Sequence, residues 1–308
     1  MVRPKDRNRA ANLDREIQAF SNTVSPLPGI ARPERRAVFI EQLVESLRRI
    51  EFIDVLKSKP IGSGRADPTK SEFDPIRAAI FHEQQGNRDE SYWLIFLATH
   101  FSKHSADGWG LLKAVYGRLG AQPHWTWAEL ISDPKVFRCW LKAHQSSLAG
   151  LRFGNHRKYE SIREDSARGL AAVIESYVDW VSPPQDHDSK ITSVVGGSND
   201  PTVAFDRLFN DLSGIYRWGR LSKFDHLTML AKVGLIPVKP GTAYLSGATG
   251  PRLGAALLLT GNAKAKINTV NAEESLASLG EYLGVGQQEM EDSLCNWQKS
   301  PDVFVPFR

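Results

Sequence analysis

The stretch Tyr244-Leu-Ser-Gly-Ala-Thr-Gly-Pro-Arg-Leu-Gly-Ala-Ala-Leu-Leu-Leu259 decides how the chain is read. Gly247 and Gly250 form a turn, and Pro251 falls near the first position of a helix, where its fixed φ is already helical. A glycine-bounded turn at a helix start exposes backbone N–H groups at the positive end of the helix dipole. Together these accept a phosphate without reading a base sequence. Arg252 adds a charge. Between Leu245 and Gly254 the segment reads as the hairpin of a helix-hairpin-helix, with Gly247, Gly250, Arg252 and Gly254 as candidate DNA contacts. The same residues also fit an ordinary helix–helix connection closed by a glycine.

Helical periodicity dominates on either side. Ile40, Leu43, Val44, Leu47 and Ile50 make one stripe, and Leu170, Val173, Ile174, Tyr177 and Val178 another. The spacing recurs at Leu112, Val115, Tyr116 and Leu119, at Phe205, Leu208, Phe209 and Leu212, and at Leu276, Leu279 and Leu283. Only Ile191–Val195 and Val303–Phe307 read as short strands, and neither has a partner to build a sheet. The expected class is all-α, a two-lobed helical arrangement. Breaks at Gly62–Thr69 and at the polar Ser182–Asp200 predict an N-terminal arm over 1–70, a central lobe over 71–181, a linker over 182–200 and a C-terminal lobe over 201–308.

Composition limits the function. With 308 residues, 41% of them hydrophobic, the chain can bury a large core. A formal charge of +4 fits a polyanionic partner without demanding one. The longest apolar run, Tyr92–Ala98, is too short to cross a bilayer, and the basic start has no apolar signal core, so a soluble, cytoplasmic protein is expected. Cys139 and Cys295 are the only cysteines, too few for a four-thiolate iron–sulfur cluster or a cysteine-rich zinc site. The chemistry is expected to need no metal and no cofactor. His100 and His104, four apart, suggest zinc on one helix face, but no third ligand accompanies them.

A second segment, Leu151-Arg-Phe-Gly-Asn-His-Arg-Lys-Tyr-Glu-Ser161, sets a glycine and the cations Arg157 and Lys158 at the head of a helix, as a phosphate cradle would. It also gathers hydrogen-bonding and acid/base groups in Asn155, His156, Tyr159 and Glu160. The alternative is a solvated helix start with its cations facing water. Tyr216-Arg-Trp-Gly-Arg-Leu-Ser-Lys223 and the Trp125–Trp140 region mix aromatic and basic residues on which bases could stack, though most of the eight tryptophans are expected in the core.

Five strings, Thr99-His-Phe-Ser-Lys-His104, Phe153–Ser161, Phe224-Asp-His-Leu-Thr-Met-Leu230, Tyr244–Pro251 and Glu291-Asp-Ser-Leu-Cys-Asn-Trp-Gln-Lys-Ser-Pro301, carry a resemblance. From about Phe73 to the C-terminus the chain resembles the alpha-glutamyl/putrescinyl thymine pyrophosphorylase clade 3 family, a branch of the helix-hairpin-helix DNA-glycosylase superfamily. The resemblance implies action on hypermodified pyrimidines in double-stranded phage DNA. Related proteins look like antiviral glycosylases that remove bases such as glucosylated hydroxymethylcytosine. The family name suggests another reaction, displacement of pyrophosphate from an activated thymine by an amine.

A glycosylase flips its target base, stabilises an oxocarbenium-like sugar and positions water, with a carboxylate near the sugar. The superfamily pattern implies an Asp at the start of the helix after the hairpin. Here that helix is expected near Asn271, in cap position, so Glu273 or Glu274 would have to replace the Asp; both also suit an ordinary first turn. Glu160 and Asp225 stand slightly ahead of these and of Asp292, each of which could instead be a partner for a nearby cation. His100, Asn155, His156, Tyr159 and Asn296 are the candidate base-pocket residues. Arg252 stands where a bifunctional enzyme would hold an amine, and a guanidinium forms no Schiff base, so base excision without strand cleavage is expected. The rival expectations are a transferase that modifies bases in viral DNA and a non-enzymatic DNA-binding module.

Overall fold

The computed structural model describes residues 3–306 except 167, and the Asn155 side chain lies outside the described set. The described residues form α1 (Arg7–Thr23), α2 (Pro33–Lys57), α3 (Pro75–Gln84), α4 (Arg88–Phe101), α5 (Gly110–Tyr116), α6 (Trp127–Ser132), α7 (Pro134–Ala143), α8 (Gln145–Leu148), α9 (Leu170–Val181), α10 (His187–Val195), α11 (Pro201–Asp211), α12 (Arg220–Val233), α13 (Gly250–Thr260), α14 (Thr269–Leu283) and α15 (Gln287–Trp297). Among them there is no strand, only two isolated β-bridges. The fold is all-α.

Three helices begin with the same device. Asp74, Asp133 and Asp200 each stand before a proline, and each carboxylate accepts a first-turn N–H: from Ile76 and Arg77, from Lys135, and from Thr202. Proline contributes a preset φ at a position whose N–H needs no partner, and aspartate satisfies the donors that follow. The same logic corrects the first strand expectation. Residues 191–195 finish α10, because Asp186 caps its start and Gly196 ends it at φ 60°, outweighing the β-branched composition. Residues 303–306 pair with no strand; Gln42 Nε2 instead donates to the Val305 carbonyl at 3.0 Å.

The chain divides into two compact units, Met1–Ile53 with Lys239–Arg308, and Asp54–Val238. The boundaries therefore differ from those expected at 70, 181 and 200. The N-terminal helices share a core with the C-terminal ones, a closure between chain ends that no local signal announces, and the stretch 182–200 is occupied by α10 inside the second unit.

In the first unit Leu13, Ile17 and Phe20 of α1, one per turn, pack with Phe39 and Leu43 of α2. Leu257 and Leu258 of α13, Leu276 and Leu279 of α14, and Met290, Leu294 and Trp297 of α15 complete this core. Backbones approach closely here: a Cβ on Gly29 would stand 2.0 Å from the Leu257 carbonyl oxygen.

The second unit is built around α4. Its run Tyr92–Ala98 is buried on every side, as a helix apolar all round must be. Two acids sit at its start. Glu90 is buried and accepts from the Tyr116 hydroxyl and the Trp127 N–H, both at 2.7 Å, joining α5 and α6 to α4. Asp89 accepts from His187 N at 2.9 Å and lies 2.6 Å from His187 Nδ1, while His187 Nε2 is 2.8 Å from the Tyr177 hydroxyl. This chain of contacts fastens α10 and α9 to α4.

Candidate active site

The C-terminal end of α4 positions the site. His100 lies in its last turn, parallel to the Phe96 ring at 6.1 Å and edge-on to Phe101 and Phe153. The chain then leaves through Ser102 at φ 54°, and Gly154 N donates to the Phe101 carbonyl at 2.8 Å. A Cβ on Gly154 would stand 2.7 Å from Ser102 Cβ, so only glycine lets the 153–160 loop close over the helix end. Phe153 stacks on Phe101 at 5.3 Å, and Arg157 folds back so that Nε donates to the Thr99 carbonyl at 3.2 Å.

Around this loop the second unit gathers charge. Glu160 Oε2 lies 3.4 Å from Arg217 Nε, and Arg217 takes a left-handed φ of 62°. Burial pushes the Arg157 guanidinium down, and the negative charges of Asp225 on α12 and of Glu160 oppose that shift. His100 is pushed down to about 3, first by burial and then by the positive charges of Arg157 and Arg217. It is a neutral imidazole at physiological pH, and its Nε2 has no hydrogen-bond partner. The site therefore joins two carboxylates, two guanidinium groups and one uncharged imidazole.

Of the residues singled out in sequence, His100, Glu160 and Asp225 meet here. Arg157 does as well, but as a half-buried partner of the two acids rather than a surface contact for phosphate. His156, Lys158 and Tyr159 lie exposed on the outer side of the loop, the Lys158 ammonium 5.0 Å from the Tyr159 ring centroid. Asn155, the other base-pocket candidate of this loop, has a side chain outside the described set. His100 and His104 do not share a helix face: α4 ends at Phe101, and His104 Nδ1 accepts from the Ala106 and Asp107 N–H groups. Among the described residues no group of three or more His, Cys, Asp or Glu side chains could hold a metal ion, and no helix is long and apolar enough to cross a membrane. In sequence, Arg217 stands out only as part of an aromatic–basic segment. The signal for its role was the sequence Arg-Trp-Gly, a cation beside an anchor and a flexible residue.

The remaining candidate residues fall in the first unit. Gly247 at φ 74° and exposed Arg252 flank the start of α13, but the 16 residues before Gly250 hold no helix, and α12 has ended at Val233. The turn and its following helix are formed; the first helix of a hairpin is not adjacent to them. Gly254 is buried inside α13, where a Cβ would stand 2.3 Å from the Leu294 carbonyl, and a Cβ on Gly250 would stand 2.7 Å from Cys295 Sγ. Gly254 is thus a packing residue rather than a DNA contact.

The cap of α14 is Asn268, which accepts from Val270 and Asn271 N–H; Asn271 is already inside the helix. Glu273 is committed to the turn, accepting from Leu245 N, and Glu274 is exposed. Asn296 donates to the Asp292 carbonyl at 2.9 Å and accepts from Lys299 at 3.1 Å, while Asp292 accepts from Ser46 and Arg49. Both are structural members of this unit. The His100–Glu160–Asp225 cluster belongs to the other unit.

An all-α chain with a mixed carboxylate–guanidinium cluster at one helix end has the makings of an enzyme. The chain belongs to the alpha-glutamyl/putrescinyl thymine pyrophosphorylase clade 3 family, whose profile matches residues 34–308. The match reaches further toward the N-terminus than the resemblance from Phe73, which agrees with α2 sharing a core with the C-terminal helices. The family is one of enzymes, related to pyrophosphorylases, whose chemistry concerns a modified base. No curated protein and no solved structure matches the chain.

Proposed function

We propose that the protein is a monofunctional DNA glycosylase that excises a hypermodified pyrimidine, such as glucosylated hydroxymethylcytosine, from phage DNA as an antiviral defence. The observation that carries the reading is the convergence of Glu160 and Asp225 with Arg157, Arg217 and neutral His100 at the end of α4. One carboxylate stabilises the oxocarbenium-like sugar while the other orients water. Neutral His100 offers a hydrogen bond to an uncharged base at no cost in charge burial. Exposed Arg252 and the turn at Gly247 supply phosphate contacts. Arg252 cannot act as a Schiff-base nucleophile, so the strand stays intact after excision.

The family name favours a second reading, in which the same cluster modifies a base in place with an amine co-substrate. Mass spectrometry of small molecules released from glucosylated, hydroxymethylated and unmodified DNA separates the two. Excision predicts a free modified base without any amine added. Modification in place predicts no free base and a strand whose mass changes only when an amine is supplied.

A further inference from the structure

Tyr216, Arg217 and Gly219 are exposed, yet Trp218 between them is buried. Its indole lies nearly parallel to Phe96, with centroids 5.0 Å apart, and edge-on to His226 at 5.0 Å. Its Nε1 has no hydrogen-bond partner, nor has His226 Nδ1 or His100 Nε2. His226 stands 6.4 Å from Phe96, and His100 stands 6.1 Å from it. Three rings, each with an unpartnered nitrogen sealed from water, therefore surround one phenyl ring.

A buried polar atom without a partner costs free energy, and one such atom is tolerable in a core. Three on the rings around a single phenyl, beside a residue in left-handed backbone, describe a place held closed against its own hydrogen-bonding preferences. The Trp93 indole, by contrast, donates to the Trp125 carbonyl at 2.8 Å, and the Trp127 indole to the Gln185 carbonyl at 3.1 Å.

We propose that residues 216–219 are a gate, and that Trp218 occupies the stacking position on Phe96 that a planar heterocyclic base takes when the gate swings out. His100 Nε2 and His226 Nδ1 then meet the polar edge of that base. The ring faces supply stacking, which is sequence-tolerant, and the imidazoles supply edge recognition. Opening separates Arg217 from Glu160 and breaks the 3.2 Å bond from Trp218 N to the Ile215 carbonyl, so base entry and release of the Glu160 carboxylate are one event. The inference rests on the site being a base-binding one, but gate opening requires no excision.

The test is hydrogen exchange of indole N–H groups in the full-length, 15N-labelled protein, with the Trp218 signal assigned as the one missing from Trp218→Phe. Trp125 is the internal control, since its Nε1 is also buried and unpartnered but neither residue beside it has a positive φ, as Arg217 has beside Trp218. The gate predicts exchange at Trp218 at least about tenfold faster than at Trp125, through local opening. Equal or slower exchange overturns it, whether or not DNA binds. Saturating duplex DNA carrying glucosylated hydroxymethylcytosine is then expected to move the Trp218 signal and leave that of Trp125 in place. A moved Trp218 signal without released base overturns the excision reading and supports the gate. Released base with an unmoved Trp218 signal overturns the gate alone.

Discussion

Arg217 Nε stands 3.4 Å from Glu160 Oε2 and reaches it from a left-handed backbone. A residue held in that conformation is stabilised by its surroundings, here by Trp218 anchored against Phe96 and by the carboxylate itself. The pair sits beside Arg157, which feels both Glu160 and Asp225. These relationships tie three separate stretches of sequence into one site.

Glu160→Gln removes the charge and keeps the shape. Excision is expected to slow by about 100-fold, the lower range for a lost acid/base or charge-stabilising group. Stability is expected to change by less than about 1 kcal/mol, because the pair with Arg217 is partly solvated. Single-turnover kinetics and thermal melting of the same preparation check both; an unchanged rate removes Glu160 from the chemistry.

The all-α class was legible in the apolar stripes, and α9 and α11 lie where the stripes at Leu170 and Phe205 place them. Glu160 and Asp225 were legible as acids within family-like strings. Their convergence was not, because it depends on Gly154 passing over Ser102 and on Arg217 in a left-handed backbone, both tertiary facts. Gly254 misled for the opposite reason: a glycine that lets α13 approach Leu294 looks in sequence like one that lets a phosphate approach. The pairing of N-terminal with C-terminal helices was invisible because amphipathic periodicity shows that a face is buried, not against what.

Glu90 gives a pH dependence with a definite sign. Burial raises its carboxyl from the usual 4.5 to about 7, against the opposing hydrogen bonds from Tyr116 and Trp127. Its folded-state pKa is raised, so its stabilising contribution is fully present below about pH 4.5 and is lost as pH rises through about 7. The loss is about 3 kcal/mol. Denaturant titrations of the wild type and Glu90→Gln at pH 5 and pH 8 check this. The stability of the wild type relative to the variant should fall toward pH 8; a difference that is flat or rises with pH contradicts the assignment.

Gly254→Ala should destabilise the protein by about 1–3 kcal/mol, since its Cβ would collide with the Leu294 backbone rather than a flexible side chain. A lowered melting temperature without DNA present is the expected result. Unchanged melting with weakened DNA binding would return Gly254 to the DNA surface.

Arg252→Ala should leave melting unchanged, because Arg252 is exposed. It should weaken binding to duplex DNA and reduce the slope of log affinity against log salt by about 1, as loss of one phosphate contact does. Binding isotherms at four salt concentrations check it, and an unaltered slope removes Arg252 from the interface.

Excision that leaves the strand whole is tested most directly by counting free base and abasic sites together on duplex DNA carrying glucosylated hydroxymethylcytosine. The predicted result is one free modified base for each abasic site, with strands that break only after alkali. A base that stays on the strand with altered mass, or strands broken before alkali, would contradict it.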